Sequence, residues 1–191
     1  MNETSSRVRQ WTVGDYYRML DAGILTEDDR VELLNGQILE MSPQRPPYTT
    51  ATKRAYDYLK PLLSGRADVR AQSPITLSSH SEPEPDIAVV AIDELEYSDH
   101  HPEPNEIFLL IEVADTTLER DLGEKAITYA QAQIQDYWVV DVRRRQLRVF
   151  RHPAGGIYEL QQLLGEDDVL SLLAFPEINV SMNRLLPLAF G

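Results

Sequence analysis

Two carboxylates stand in apolar stretches, and a lysine follows them on a segment of helical character. The stretches are Glu84-Pro85-Asp86-Ile87-Ala88-Val89-Val90 and Leu109-Leu110-Ile111-Glu112-Val113-Ala114; the lysine closes Asp121-Leu122-Gly123-Glu124-Lys125. Apart from Glu112, every residue from Ile107 to Ala114 is apolar, which predicts a strand buried on both faces. An ionised carboxylate there is costly unless it is paired, hydrogen-bonded or bound to a cation. Asp86 opens a second strand of the same kind. Two acids meeting at the mouth of a sheet repel each other, and a shared Mg²⁺ or Mn²⁺ relieves the repulsion. The chemistry in view is metal-dependent phosphodiester cleavage. The plainer reading has Asp86 capping a loop and Glu112 ending an exposed strand. It suits either residue alone; two acids, each inside an apolar β-rich run, favour the metal.

Lys125 extends the pattern. A strand-to-helix connection can fold it back over the end of the Glu112 strand, where it would orient a water or stabilise developing phosphate charge. The alternative is a solvated helix lysine paired with Asp121 at i,i+4.

The elements that must position these groups read as helices and strands interleaved, an α/β chain with a mixed sheet at its core. Trp11–Ala22 is a short helix, with Thr12 placed to cap it and Gly23 to end it. Asn35-Gly36 between alternating apolar residues predicts a hairpin of 30–34 and 37–41. Pro43, Pro46 and Pro47 break the chain before a helix over 49–63. Val69–Leu77 is a strand that Pro74 confines to an edge or a bend. The Asp86 strand runs to Ile92 and the Glu112 strand over 106–113, and a helix covers 121–133, opened by Asp121 and Glu124 as a capping pattern. A second hairpin, 137–142 with 146–150, carries the arginines at its turn, and Ile157–Gln162 is a further strand. The tail beyond Gly165 holds short apolar pieces. Residues 1–10 read as a flexible leader and 11–191 as one domain, with no repeat or linker to divide it.

Net charge is −13, from 18 basic and 31 acidic residues. This argues against a protein that coats nucleic acid by charge alone; it does not exclude a nuclease, because a bound metal and a local basic patch can override the global sign. Arg143, Arg144, Arg145, Arg148 and Arg151 form one such patch, suited either to a phosphate backbone, with Arg143, Arg144 and Arg145 as its core, or to an ordinary solvated turn. With no cysteine, disulfides and thiolate zinc sites are excluded, and the chain fits a reducing cytoplasm. No apolar run approaches the ~20 residues of a membrane helix. His80, His100, His101 and His152 lack zinc-ligand spacing, and there is neither a nucleophile elbow nor a glycine-rich phosphate loop.

The ordered motifs from Ile111-Glu112-Val113-Ala114 through Asp121…Lys125, Tyr129-Ala130 and Asp136-Tyr137-Trp138-Val139-Val140-Asp141 resemble the Uma2 family (DUF820), restriction-endonuclease-like proteins abundant in cyanobacteria. The Asn35-Gly36 hairpin ending in Met41-Ser42-Pro43 and the Glu84-Pro85-Asp86 strand match it too, so the resemblance spans about Trp11 to Leu186. It implies the PD-(D/E)xK nuclease fold: a mixed sheet flanked by helices, here with N-terminal and C-terminal β-hairpins. It also implies an active site of Asp86 and Glu112. The lysine usual two residues after the Glu is replaced by Ala114; the family is thought to supply it from the next helix, here Lys125. Glu32 matches an acid of the family's opening motif and is either a further active-site acid or a hairpin-face residue. Where many members carry a histidine early in the second helix, this chain has Tyr48.

The expectation is Mg²⁺- or Mn²⁺-dependent hydrolysis of a nucleic-acid phosphodiester, with DNA as substrate. Asp86 and Glu112 would hold the metal, and Lys125 would position water or stabilise charge. Cleavage of a duplex needs two sites, which a homodimer would supply. The alternatives are a nuclease-fold module that binds nucleic acid or a protein without cutting, and a structural Glu112–Lys125 ion pair in a non-enzymatic domain.

Overall fold

The computed structural model describes residues 8–188; most of the expected leader, 1–7, lies outside the described residues. Helix α1 (Val13–Asp21) opens on Thr12, whose hydroxyl accepts the Asp15 N–H while the Asp15 carboxylate accepts the Thr12 N–H, each at 3.0 Å. This reciprocal cap satisfies two donors that the first turn leaves free. Strands β1 (Val31–Leu34) and β2 (Gln37–Glu40) pair antiparallel about Asn35 and Gly36, whose φ values are 50° and 75°. A side chain at Gly36 would also put its Cβ 2.5 Å from that of Gln10.

Helix α2 (Pro46–Leu62) begins three residues before the expected start. Pro46 and Pro47 occupy its first turn, where a missing N–H costs nothing and the fixed φ suits the helix. They start the helix rather than break the chain.

The main sheet has the order β3 (Asp68–Ala71), β4 (Ile87–Val90), β5 (Ile107–Ala114), β6 (Asp136–Asp141), β7 (Gln146–Ala154), β8 (Ile157–Leu164). Its pairs are antiparallel except β5 with β6, so the sheet is mixed, as expected. β3 is an edge strand and ends at Ala71, short of the expected Leu77, because the chain turns away before Pro74. Two short strands, β9 (Val169–Ser171) and β10 (Asn179–Ser181), form a separate antiparallel pair in the tail.

Helix α3 covers 118–131 in three parts: α-helical Leu118–Arg120, a π turn Asp121–Lys125, and α-helical Ala126–Gln131. It starts earlier than expected, and Asp121 does not cap it. Asp121 lies inside the helix, 2% exposed, accepting the Thr117 hydroxyl at 2.5 Å. Such a π turn is a rare insertion that recurs at functional sites.

The helices sandwich the sheet. Ala51, Ala55 and Leu59 of α2 pack with Ile87, Leu109, Ile111 and Trp138, and Val180, Met182 and Leu185 of the tail extend that layer. On the other face Ala126, Tyr129 and Ala130 of α3 pack with Leu110, Ala114, Tyr137 and Val139. Side chains alternate along a strand, so Glu112, between Leu110 and Ala114, faces α3.

Candidate active site

β5 delivers Glu112 to the gap under α3, where it is 4% exposed. One oxygen, Oε1, accepts the Lys125 ammonium at 2.9 Å and the Tyr129 hydroxyl at 2.7 Å. The π turn serves this convergence: Asp121, Lys125 and Tyr129 stand at successive i+4 positions and all are buried.

Asp86 arrives from the residue before β4. Ile87 pairs with Ile111, so Asp86 lies beside the end of β5, and its Oδ2 accepts the Val113 N–H at 2.7 Å. Its Oδ1 accepts the Tyr48 hydroxyl, and Tyr48 in turn accepts from the Gln72 amide at 2.9 Å. Tyr48 thus stands at the site, at the position where the family resemblance implies a histidine.

Glu32 comes from β1. The hairpin is docked by Glu82 N–H on Leu33 O at 2.8 Å, Gly36 N–H on His80 O at 2.7 Å, and the Asn35 amide on the Thr128 hydroxyl at 2.8 Å. Docking turns Glu32 inward, 1% exposed, with Oε2 3.3 Å from Lys125 Nζ and 3.2 Å from the Glu84 N–H. Its Oε1 has no hydrogen-bond partner, and the Arg120 guanidinium lies 3.5 Å away. Glu32 therefore lies on the buried face of the hairpin, and Lys125, at 3% exposed, is not a solvated helix lysine.

Charge is unbalanced here. Glu32, Asp86, Glu112 and Asp121 are buried around Lys125, with Arg120 at the rim. Burial pushes Asp86 well above the usual carboxylate range, against the opposing pull of the Tyr48 hydroxyl and the Val113 N–H. Burial also raises Glu112; Lys125 opposes it and the neighbouring acids add to it. Asp121 is raised by burial as well. Burial would drive Lys125 down, but Glu112, Glu32 and Asp121 outweigh it and hold the ammonium protonated.

The acids line a cavity of about 50 Å³, enough for an ion and a little water. Among the described residues no three His, Cys, Asp or Glu side chains form a group that could hold a metal by themselves. The pair Asp86 and Glu112 still fits Mg²⁺ or Mn²⁺, hard cations that take one or two carboxylates and complete their shell with water and substrate oxygens. The surplus of buried negative charge and the orphaned Glu32 oxygen are what such an ion would relieve.

The arginine cluster divides. Arg143 donates to Asp115 at 2.8 Å, and Asp115 lines the cavity, so Arg143 reaches its rim. Arg144 pairs with Asp141 at 3.1 Å, while Arg145 bonds Glu166 at 2.6 Å and Pro187 O at 2.8 Å. Arg148 and Arg151 lie within β7 rather than at the turn, and Arg151 is buried against Asp136. The expected basic patch is thus largely neutralised by neighbouring acids. Tyr48 and Tyr129 are site residues to which the sequence assigned no role, and Asp121, expected as a helix cap or a surface partner of Lys125, is a third member of the buried cluster. The Lys125-x3-Tyr129 spacing is the signal that could have found Tyr129, since both side chains reach Glu112 Oε1.

The profile of a family described as "Uma2: Putative restriction endonuclease" matches residues 13–184. Among solved structures, the chain is similar to a protein of Anabaena variabilis ATCC 29413 described as a putative nuclease belonging to DUF820. The two are 15% identical with a TM-score of 0.68, over 91% of this chain and 96% of that one. At this identity the likeness concerns the fold, and the expected mixed sheet flanked by helices is the one observed. No curated protein matches the chain.

Proposed function

The chain belongs to the Uma2 family, and from that membership and the buried acids we propose that it is a divalent-metal-dependent endonuclease acting on nucleic acid, with DNA as the expected substrate. One observation carries the reading. Asp86, Glu112 and Lys125, from three separate elements, converge on one cavity in which carboxylates outnumber cations.

Asp86 and Glu112 would hold Mg²⁺ or Mn²⁺. Bound there, the ion would polarise the phosphoryl group and provide for a water nucleophile at neutral pH. The residues of the chain do the rest. Tyr48 and the Val113 N–H fix the rotamer of Asp86, and Tyr129 fixes Glu112. Lys125 keeps its proton, so it acts as a donor: it orients the attacking water or meets charge developing on the phosphate, and does not serve as a base. Arg120 and Arg143 at the rim are placed for the flanking phosphates.

The test is cleavage of supercoiled plasmid, linear duplex, single-stranded DNA and a branched junction with Mg²⁺, Mn²⁺ or EDTA, beside Glu112→Ala and Asp86→Ala. Metal-dependent cutting that both substitutions abolish while the fold persists supports the reading. Binding without cutting, unchanged in both variants, would favour a non-cutting nuclease-fold module, which the tight Lys125–Glu112 pair and the absent lysine at Ala114 make the second reading.

A further inference from the structure

A larger cavity adjoins the candidate site. It has a volume of about 410 Å³ and shares Arg30, Met41 and Glu84 with the cavity of the buried acids, which holds only about 50 Å³. The site itself therefore has no room for a nucleoside, whereas its neighbour falls in the range of roughly 300–1,000 Å³ that encloses small organic ligands.

The walls of the larger cavity suit a base. Tyr16, Tyr17 and Leu20 of α1 form one side and Met41 lies among the residues of the other. The Tyr16 hydroxyl is anchored on Val31 O at 3.0 Å and the Tyr17 hydroxyl on His101 at 3.0 Å, so neither ring hangs free. Tyr17 keeps 39% of its surface exposed. Two acids, Glu82 and Glu84, line this cavity and disfavour a phosphate inside it. Arg30 is exposed, makes no ion pair among the described residues, and lines both cavities. It is thus a cation at the junction of the two cavities. Stacked pairs in a duplex present only their groove edges, and a base enters such a pocket only from a single strand or by leaving the stack.

We propose that this cavity receives one unpaired nucleotide next to the reacting phosphodiester, stacked against Tyr17 with its phosphate on Arg30. The substrate class is then single-stranded nucleic acid or a duplex carrying an unpaired nucleotide. The proposal rests on the nuclease reading above and adds to it the form of the substrate.

The test uses the full chain and three fluorescein-labelled DNAs: a single strand, its blunt duplex, and that duplex with one unpaired nucleotide. Binding is read by anisotropy in EDTA and in Mg²⁺, and cleavage in Mg²⁺. The single strand and the bulged duplex should bind about tenfold or more tighter than the blunt duplex, and Tyr17→Ala should remove roughly tenfold of that affinity. Leu20→Trp fills the cavity instead of emptying it and should have the same effect, which separates the proposal from a folding defect. Equal binding of all three DNAs, indifferent to both substitutions and accompanied by Mg²⁺-dependent cutting, overturns the cavity proposal and leaves the nuclease. Neither binding nor cutting of any of the three overturns the nuclease reading and the cavity proposal with it.

Discussion

The Lys125 ammonium sits 2.9 Å from Glu112 Oε1, reaching from the π turn of α3 to the strand face on which Ala114 also lies. Among the described residues Lys125 is the one buried cation beside Glu32, Asp86, Glu112 and Asp121, so the two ends of the pair are not equivalent. Removing the lysine leaves the acids facing one another, and breaking a buried pair in this way costs about 3–5 kcal/mol. Removing one acid lowers a repulsion. Above about pH 8, where Glu112 has given up its proton, Lys125→Met should therefore destabilise the fold by about 3–5 kcal/mol, and Glu112→Gln by less than about 1 kcal/mol. Urea unfolding of both variants beside the parent chain checks this, and equal losses would refute the charge imbalance.

The same imbalance sets a pH dependence. Burial raises Glu112 to about 8 and Asp86 to about 6, whereas the unfolded chain titrates both near ~4. Between those limits the folded state binds more protons than the unfolded state, so stability falls as pH rises. The loss should begin above about pH 4 and level off above about pH 8. Urea midpoints in EDTA from acid to mildly alkaline pH should show that decline. Added Mg²⁺ should recover more stability at the alkaline end than at the acid end, with release of protons on binding. A midpoint that rises across this range would sink the argument.

Tyr48 offers a narrower test. Its hydroxyl donates to Asp86 and opposes the rise in that group's pKa. In Tyr48→Phe the acid should hold its proton to higher pH, so the acid limb of the cleavage profile moves upward while the alkaline limb stays in place. The fold should survive, since one hydrogen bond to a charged group accounts for about 1.5–3 kcal/mol. A uniform loss of rate with an unmoved acid limb would mean that Tyr48 does not act through Asp86.

Much of this arrangement was readable from local signals. Asn35-Gly36 announced its turn because few other pairs adopt positive φ twice in succession. Glu112 drew attention because a charge inside an eight-residue apolar strand needs a partner. What local pattern could not reveal was decided by contacts distant in sequence. Glu32 faces inward because the 80–82 segment docks on the hairpin, and a four-residue strand reading Val-Glu-Leu-Leu does not by itself say which face is buried. Tyr48 meets Asp86 across 38 residues. The π turn adds no local stability that a spacing rule could detect; it persists because it carries Lys125 and Tyr129 to the same oxygen. Pro46 and Pro47 are ambiguous in sequence because proline ends one helix and starts another by the same absent N–H.

Arg151 belonged to the arginine run that first suggested nucleic-acid contact, and its surroundings assign it other work. Its guanidinium bonds Asp136 at 2.8 and 3.0 Å and the Ser171 carbonyl at 2.6 Å, and Asp136 also accepts the Leu173 N–H at 3.0 Å and the Trp138 indole at 2.7 Å. The pair ties the tail to β6 and β7. Arg151→Met should cost about 3–5 kcal/mol, because it strands a buried carboxylate. Asp136→Leu combined with Arg151→Met should cost less than the sum of the single losses. Limited proteolysis of Arg151→Met should cut the segment around 165–178 sooner than in the parent chain, while affinity for nucleic acid, measured below the unfolding transition, stays within about twofold, as expected for a residue away from the phosphate contacts. A variant that kept its stability but lost binding would return Arg151 to the interface.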